Sequence, residues 1–371
     1  MLINTENKRI ELVYPTDMSG EKTRLITVDG DADDFERDKG IFRADTALYT
    51  AALAMSAEHE TILKENLTEL HYDRLSFISY DNHDQNRVGM ALGIKERGDT
   101  ATVIIVLRGT VGREWYSNFD VGYGTEHSGF LKAAEYAEQR LSDYLFIRLP
   151  QQQELRFLVT GYSRGGAVAN ILSKRLCDRY GLDAVRCYTF ASPNTGITVK
   201  GARYGSIFNI VRDEDFFTRV PLAGWGYTKY GRNISLSDCG DIAKRYRVLC
   251  GEDYIGITSS EAVDSVLCSV MRLAPNVHAY YERRYPVGDR MLSLCDYMTA
   301  VAGMLADDAD EAVGDVLMSA MVSEFAELSD FLSSGIDIAA FLSPAQGIPR
   351  CSVADTHSAT AYMAALDMYL E

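Results

Sequence analysis

Apolar residues follow two rhythms along this chain. Over 102–107 they run almost without a break, as Thr-Val-Ile-Ile-Val-Leu, and most are β-branched. Such a run suits a strand buried on both faces. Comparable stretches at 75–80, 88–94, 155–160, 185–190 and 206–211 predict further strands, and 10–14 and 24–28 add two near the beginning. Between the strands, apolar positions recur every three or four residues. Ala47, Leu48, Ala51, Leu53 and Ala54 would pack inward from a helix over 44–65, and another helix is expected over about 129–147. Strands alternating with helices predict a largely parallel sheet covered on both faces. After about residue 240 the strand rhythm stops. Val313, Val316, Leu317, Ala320, Met321, Phe325, Leu328 and Leu332 keep helical spacing, which predicts an amphipathic helix. No internal repeat or low-complexity linker divides the chain. Residues 1–371 therefore read as a single domain, with 240–350 as a helical insertion.

The segment 155–170 turns this general pattern into a candidate site. An apolar strand leads into Gly161-Tyr162-Ser163-Arg164-Gly165, and the small residues Gly166, Ala167, Val168 and Ala169 open a helix behind it. Gly-x-Ser-x-Gly alone is compatible with an ordinary glycine-rich turn. Placed between a strand and a helix, it has the context of the nucleophile elbow of an α/β-hydrolase. The turn holds its serine in a strained backbone conformation, and side chains at the two glycines would collide with the neighbouring strand or helix. The helix behind it aims its N-terminal amides at the place where an oxyanion forms. Ser163 is the candidate nucleophile. A nucleophilic serine needs a base, and the base needs an orienting carboxylate; in this fold they follow in the order Ser, acid, His. The strand at 206–211 is followed by Arg212-Asp213-Glu214-Asp215, which puts acids beyond the carboxyl end of a strand, where catalytic groups gather. Of the 6 histidines, His59, His71, His83 and His127 precede the elbow, and His278 and His357 follow the acids.

Composition narrows the partners. A net charge of −16 argues against binding a phosphate backbone, which relies on clustered Lys and Arg, and against adhesion to anionic membranes. A hydrophobic content of 47% with 8 Pro describes a chain with a sizeable core. No stretch approaches the length of a membrane-spanning helix. The beginning of the chain lacks a basic region followed by an apolar run, so a cytoplasmic protein without a signal peptide is expected. The 7 cysteines show no CxxC spacing and are expected as free thiols. The acidic stretch 29–34 faintly resembles the start of a calcium loop, but Gly40 stands where the closing Glu would be. A solvated loop is expected there, with no metal site.

Several blocks beside the elbow carry a family resemblance. They are Val106-Leu107-Arg108-Gly109-Thr110, Trp115-Tyr116-Ser117-Asn118-Phe119-Asp120, His127-Ser128-Gly129-Phe130, Tyr188-Thr189-Phe190-Ala191-Ser192-Pro193 and Asp215-Phe216-Phe217-Thr218-Arg219-Val220-Pro221. Together and in this order they resemble the class 3 lipases, the fungal-type triacylglycerol lipases and their bacterial relatives. The resemblance covers about 45–235 and returns at the C-terminus. It implies an oxyanion hole at Thr110, completed by the amide of Arg164. It implies Asp215 as the acid, with Asp213 a surface turn residue. It favours His357, whose His-Ser block opens a closing helix, over its rival His278. The family's lid corresponds to 111–120, where Trp115 is either a lid residue or a core residue. The chain departs from the family with Tyr162 and Arg164 where His and Leu are frequent, and with Thr218 in place of a Pro. The Arg164 cation is expected to meet a carboxylate product, an acidic headgroup or an internal acid.

The function implied is that of a serine ester hydrolase, a lipase or esterase acting on small-molecule or lipid-like carboxylic esters through an acyl-enzyme, with no cofactor and no metal. An acyltransferase or thioesterase would use the same triad, and a non-catalytic binding protein would use the same scaffold. With His357 as the base, 240–350 lies between acid and base, either capping an acyl groove or packing on a flank.

Overall fold

The computed structural model describes residues 9–256, 260 and 356–370, apart from 18, 30–34, 36–39, 82–83, 85, 112–113, 119–123, 150–152, 198–200, 222, 224–225 and 237–240. The chain opens with an antiparallel hairpin of β1 (Arg9–Pro15) and β2 (Thr23–Asp29). Helices α1 (Ala44–Met55) and α2 (Glu60–Glu69) follow. Strands β3 (Asp73–Ile78), β4 (Met90–Arg97) and β5 (Thr100–Leu107) then form an antiparallel meander. The short α3 (Trp115–Asn118) and the long α4 (Ser128–Arg148) lead to β6 (Glu154–Tyr162), α5 (Arg164–Tyr180) and β7 (Val185–Phe190). Next come β8 (Gly196–Ile197), β9 (Ile207–Val211), β10 (Tyr227–Thr228), β11 (Arg232–Ser235) and α6 (Ile242–Cys250). Helix α7 (Ala359–Leu370) closes the described chain.

The main sheet has seven strands in the order β11-β9-β7-β6-β5-β4-β3. Its five strands from β11 to β5 are parallel, and β4 and β3 continue it antiparallel. Strand β5 explains why the sheet has helices on both sides. Its successive side chains point to opposite faces. Val103, Ile105 and Leu107 join α4 and α5 residues such as Phe130, Leu141, Ile171 and Leu172. Ile104 and Val106 join Tyr49 and Leu53 of α1 and Tyr362 and Leu366 of α7. All five are buried, so neither face of this part of β5 is left to solvent.

The expected single helix over 44–65 is two helices. Ser56 ends the first: its hydroxyl bonds the Ala52 carbonyl at 2.6 Å and the β1 carbonyl of Val13 at 3.1 Å. From α2, Asn66 exchanges a pair of hydrogen bonds with the Val13 backbone at 2.9 and 2.7 Å. The break places both helices against β1, and a hydroxyl that competes for backbone groups is a common way to stop a helix. Strand β11 was not expected. Its Arg-Asn-Ile-Ser sequence lies at the sheet edge and lacks an apolar run.

The 313–332 helix, His278 and most of the expected 240–350 insertion lie outside the described residues, as do the acidic residues 30–34. Cys239, Cys268, Cys295 and Cys351 also lie outside them, whereas Cys177, Cys187 and Cys250 are free thiols. Among the described residues, no helix is long and apolar enough to cross a membrane.

Candidate active site

Strand β6 ends at Tyr162 and α5 begins at Arg164, so one residue must make the whole turn. That residue is Ser163, with φ 54° and ψ −124°. Positive φ at a residue other than glycine is costly and persists only where the surroundings enforce it. They do so here through close backbone approach. A Cβ on Gly161 would lie 2.4 Å from the Gly165 carbonyl oxygen, and one on Gly165 would lie 2.3 Å from the Leu107 carbonyl oxygen. The Ser163 amide donates to the Phe190 carbonyl of β7 at 2.9 Å, and its carbonyl accepts from Ala167 in the first turn of α5.

The hydroxyl of Ser163 meets an imidazole. Its Oγ is 2.9 Å from His357 Nε2, and His357 Nδ1 is 2.8 Å from Asp215 Oδ2. His357 sits just ahead of α7, with the ring of Tyr162 5.4 Å away and that of Phe217 4.7 Å away, centre to centre. The Thr356 carbonyl before it accepts from Arg212 at 3.2 Å, which ties this segment to the end of β9.

Asp215 follows β9 and caps the short 3-10 turn Phe216–Arg219, its Oδ1 accepting from the Phe217 amide at 3.0 Å. It is fully buried. Oδ2 accepts a second bond, from the Tyr362 hydroxyl at 2.7 Å. Burial and the neighbouring carboxylate hold the Tyr362 phenol well above its usual range, so it stays a donor. Lys229 is buried close by and donates to Asn194 Oδ1 at 2.9 Å and to the Thr218 carbonyl, which braces the same turn. Burial lowers its ammonium to about 7, against the opposing pull of Asp215. Asp213 is exposed and accepts from Ser235 Oγ at 3.0 Å.

The candidate oxyanion residues stand on the other side of the elbow. Thr110 lies just past β5, and Asn118 Nδ2 donates to its Oγ1 at 3.0 Å. That bond occupies the oxygen and leaves the hydroxyl proton free to turn elsewhere. The Arg164 side chain is 1% exposed and meets an internal acid, Glu114, with 3.6 Å between Nη1 and Oε2. Of the three partners expected for this cation, the structure supplies the internal one. Glu114, itself fully buried, also pairs with Arg108 at 3.0 Å. Burial pushes its carboxyl up, opposed by the two guanidiniums, and burial lowers Arg164 to about 10. The segment 119–123 and the side chain of Trp115 lie outside the described residues.

Sequence reasoning did not find Tyr362, Lys229 or Glu114 as parts of the site. Tyr362 does fall in the closing helix that the His-Ser block at His357 opens, and the acid at 114 lies inside the lid counterpart 111–120.

A mostly parallel sheet, helices on both faces and a serine on a strained strand-to-helix turn define an α/β-hydrolase. Residues 97–225 match the family Lipase (class 3). A secreted mono- and diacylglycerol lipase 1 from Fusarium solani is 28% identical over 160 residues, or 39% of this chain. The match spans 47% of that relative, so this chain covers about half its length. Among solved structures, the native Rhizomucor miehei lipase propeptide complex is similar at 22% identity with a TM-score of 0.42, over 53% of this chain and 69% of that one. A lipase from Rhizopus microsporus var. chinensis matches at 17% identity with a TM-score of 0.39, over 52% and 74% respectively.

Proposed function

We propose that this protein is a serine hydrolase of carboxylic esters, of lipase or esterase type, with Ser163, His357 and Asp215 as its triad. The observation that carries the reading is the unbroken chain of hydrogen bonds from Ser163 Oγ through His357 to Asp215, at 2.9 and 2.8 Å. In this reading Ser163 Oγ attacks the ester carbonyl carbon and passes its proton to His357 Nε2. The tetrahedral oxyanion is held by the amides of Arg164 and Thr110 and by the Thr110 hydroxyl, each donor worth roughly 3 kcal/mol. The carbon–oxygen bond to the alcohol breaks as His357 returns the proton to the leaving oxygen. Water then attacks the acyl-enzyme and gives a proton to His357, and His357 passes that proton to Ser163 Oγ as the carbon–oxygen bond to Ser163 breaks and the acid is released. Asp215 keeps the Nδ1 proton in place and stabilises the imidazolium.

Lipid-like esters are the proposed substrates, supported by the family match over 97–225. A cytoplasmic setting is part of the same proposal, supported by the buried free thiols of Cys177 and Cys187. The Fusarium relative is, by its name, secreted. A fluorophosphonate probe tests the core of the reading. Peptide mapping should find the label on Ser163, and His357→Ala should abolish both labelling and turnover of p-nitrophenyl esters. A label on another serine, or none on a folded sample, would sink it.

A further inference from the structure

The residue after Ser163 has two jobs in this fold. Its backbone amide is one candidate oxyanion donor; its side chain reaches away into a buried cluster. The Arg164 guanidinium donates from Nε and Nη2 to Ser117 Oγ at 3.1 and 2.9 Å, and from Nη2 to the Arg87 carbonyl at 2.9 Å. Ser117 passes the restraint on, since its hydroxyl donates to the Glu114 carbonyl at 2.8 Å. The Glu114 carboxylate, beside Arg164, accepts from the Val111 amide at 3.1 Å and from Arg108 Nη2 at 3.0 Å. Thr110, the second candidate oxyanion residue, is thus bracketed. Arg108 and Val111 on either side of it are tied to Glu114, and Asn118, next to Ser117, holds its hydroxyl. The turn carrying Ser117 is also wedged from behind, where a Cβ on Gly129 would lie 1.8 Å from the Ser117 carbonyl oxygen.

We propose that the Arg164 side chain, through Ser117 and Glu114, is a positioning residue that fixes the Thr110 segment at a set distance from the nucleophile elbow. Both halves of the oxyanion hole then depend on one residue, which supplies an amide to one half and an anchor to the other. Burying two guanidiniums and one carboxylate is expensive compared with apolar packing. What the ionic version adds is direction: a planar guanidinium with a rigid fork of donors fixes both the distance and the angle of what it holds. The inference rests on the ester-hydrolase reading.

The test compares Ser117→Ala and Arg164→Met with the wild-type full chain, each assayed at a temperature where it is folded. The readouts are kcat and KM for p-nitrophenyl butyrate and Ki for a phenylboronic acid, whose tetrahedral adduct loads the oxyanion hole. A hole displaced by a fraction of an ångström should lower kcat about tenfold in Ser117→Ala and about a hundredfold in Arg164→Met, with KM nearly unchanged. Ki should rise in proportion to the loss of kcat, which general loosening of the fold would not produce. If Arg164→Met fails to fold, Ser117→Ala decides alone. A folded Ser117→Ala with kcat within about twofold of wild type overturns the proposal, as does a fall in kcat without the matching rise in Ki. A wild type that neither hydrolyses any ester nor reacts with a fluorophosphonate overturns the underlying reading instead.

Discussion

Asp215 is the most constrained side chain of the candidate site. Its Oδ2 accepts from both His357 and Tyr362, and its Oδ1 from the Phe217 amide. An amide in its place would turn an NH2 toward one of these donors and favour the wrong imidazole tautomer. Asp215→Asn should therefore fold but lose turnover by about 10⁴. Asp213→Asn, at an exposed residue held by Ser235, should stay within about twofold of wild type. Steady-state kinetics on the two variants checks this, and the reverse ranking would move the acid two residues upstream. The sequence reached this pair and stopped between them, because both acids follow the same strand and spacing does not say which one turns inward. The block around Asp215 made the choice. Tyr362 was beyond such reasoning, since its partner lies 147 residues away. The opposite charges of Arg164 and Glu114 were visible, but no periodicity says that two charges on separate elements will face each other.

The β6–turn–α5 unit was the most legible part of the fold because its determinants are local. Apolar run, small residues and serine are contiguous, and each constrains its neighbours within a few residues. Where tertiary contacts set a boundary, the sequence said less. The helix over 44–65 breaks because Ser56 and Asn66 bind the backbone of β1, a strand far upstream. The elbow's own requirement can be tested through Gly165. A methyl group there would lie 2.3 Å from the Leu107 carbonyl oxygen and 2.5 Å from that of Arg108, backbone atoms of the strand end and turn that lead to Thr110. Neither can retreat without moving the segment that carries the candidate oxyanion residue. Gly165→Ala should cost about 3 kcal/mol or more in a denaturant titration, and should slow fluorophosphonate labelling of whatever fraction stays folded. Wild-type stability in this variant would mean that the elbow is looser than its contacts imply.

The proposed triad gathers residues from three places in the chain, and its last member arrives on an element that is also core. Helix α7 buries Tyr362, Met363, Ala365 and Leu366 against α1 and the sheet, in the same cluster as Leu53 and Phe190. Placing His357 therefore needs no dedicated scaffold, because the burial of these side chains sets where α7 starts. From the sequence, the strand and helix alternation gave the layers, and the order Ser, acid, His gave the direction of travel. The separation of 142 positions from Asp215 to His357 exceeds anything that local patterning can bridge. If the tether at Thr356 holds the base whatever the tightness of α7 packing, stability and chemistry should separate under substitution. Leu366→Ala removes a side chain that is 1% exposed and leaves a cavity, at a cost of about 2–5 kcal/mol. Below its lowered melting point, it should keep kcat within about twofold, because His357 lies at the opposite end of the helix and is tethered by Arg212 through Thr356. His357→Ala should do the reverse, with turnover abolished and the melting point nearly unchanged, because the ring is partly exposed and little core depends on it. Thermal melts and kinetics on the two variants give a fourfold comparison. A Leu366→Ala protein that is folded yet inactive would mean that the base is held by the strain of a tightly packed helix, and not by the local tether at Thr356.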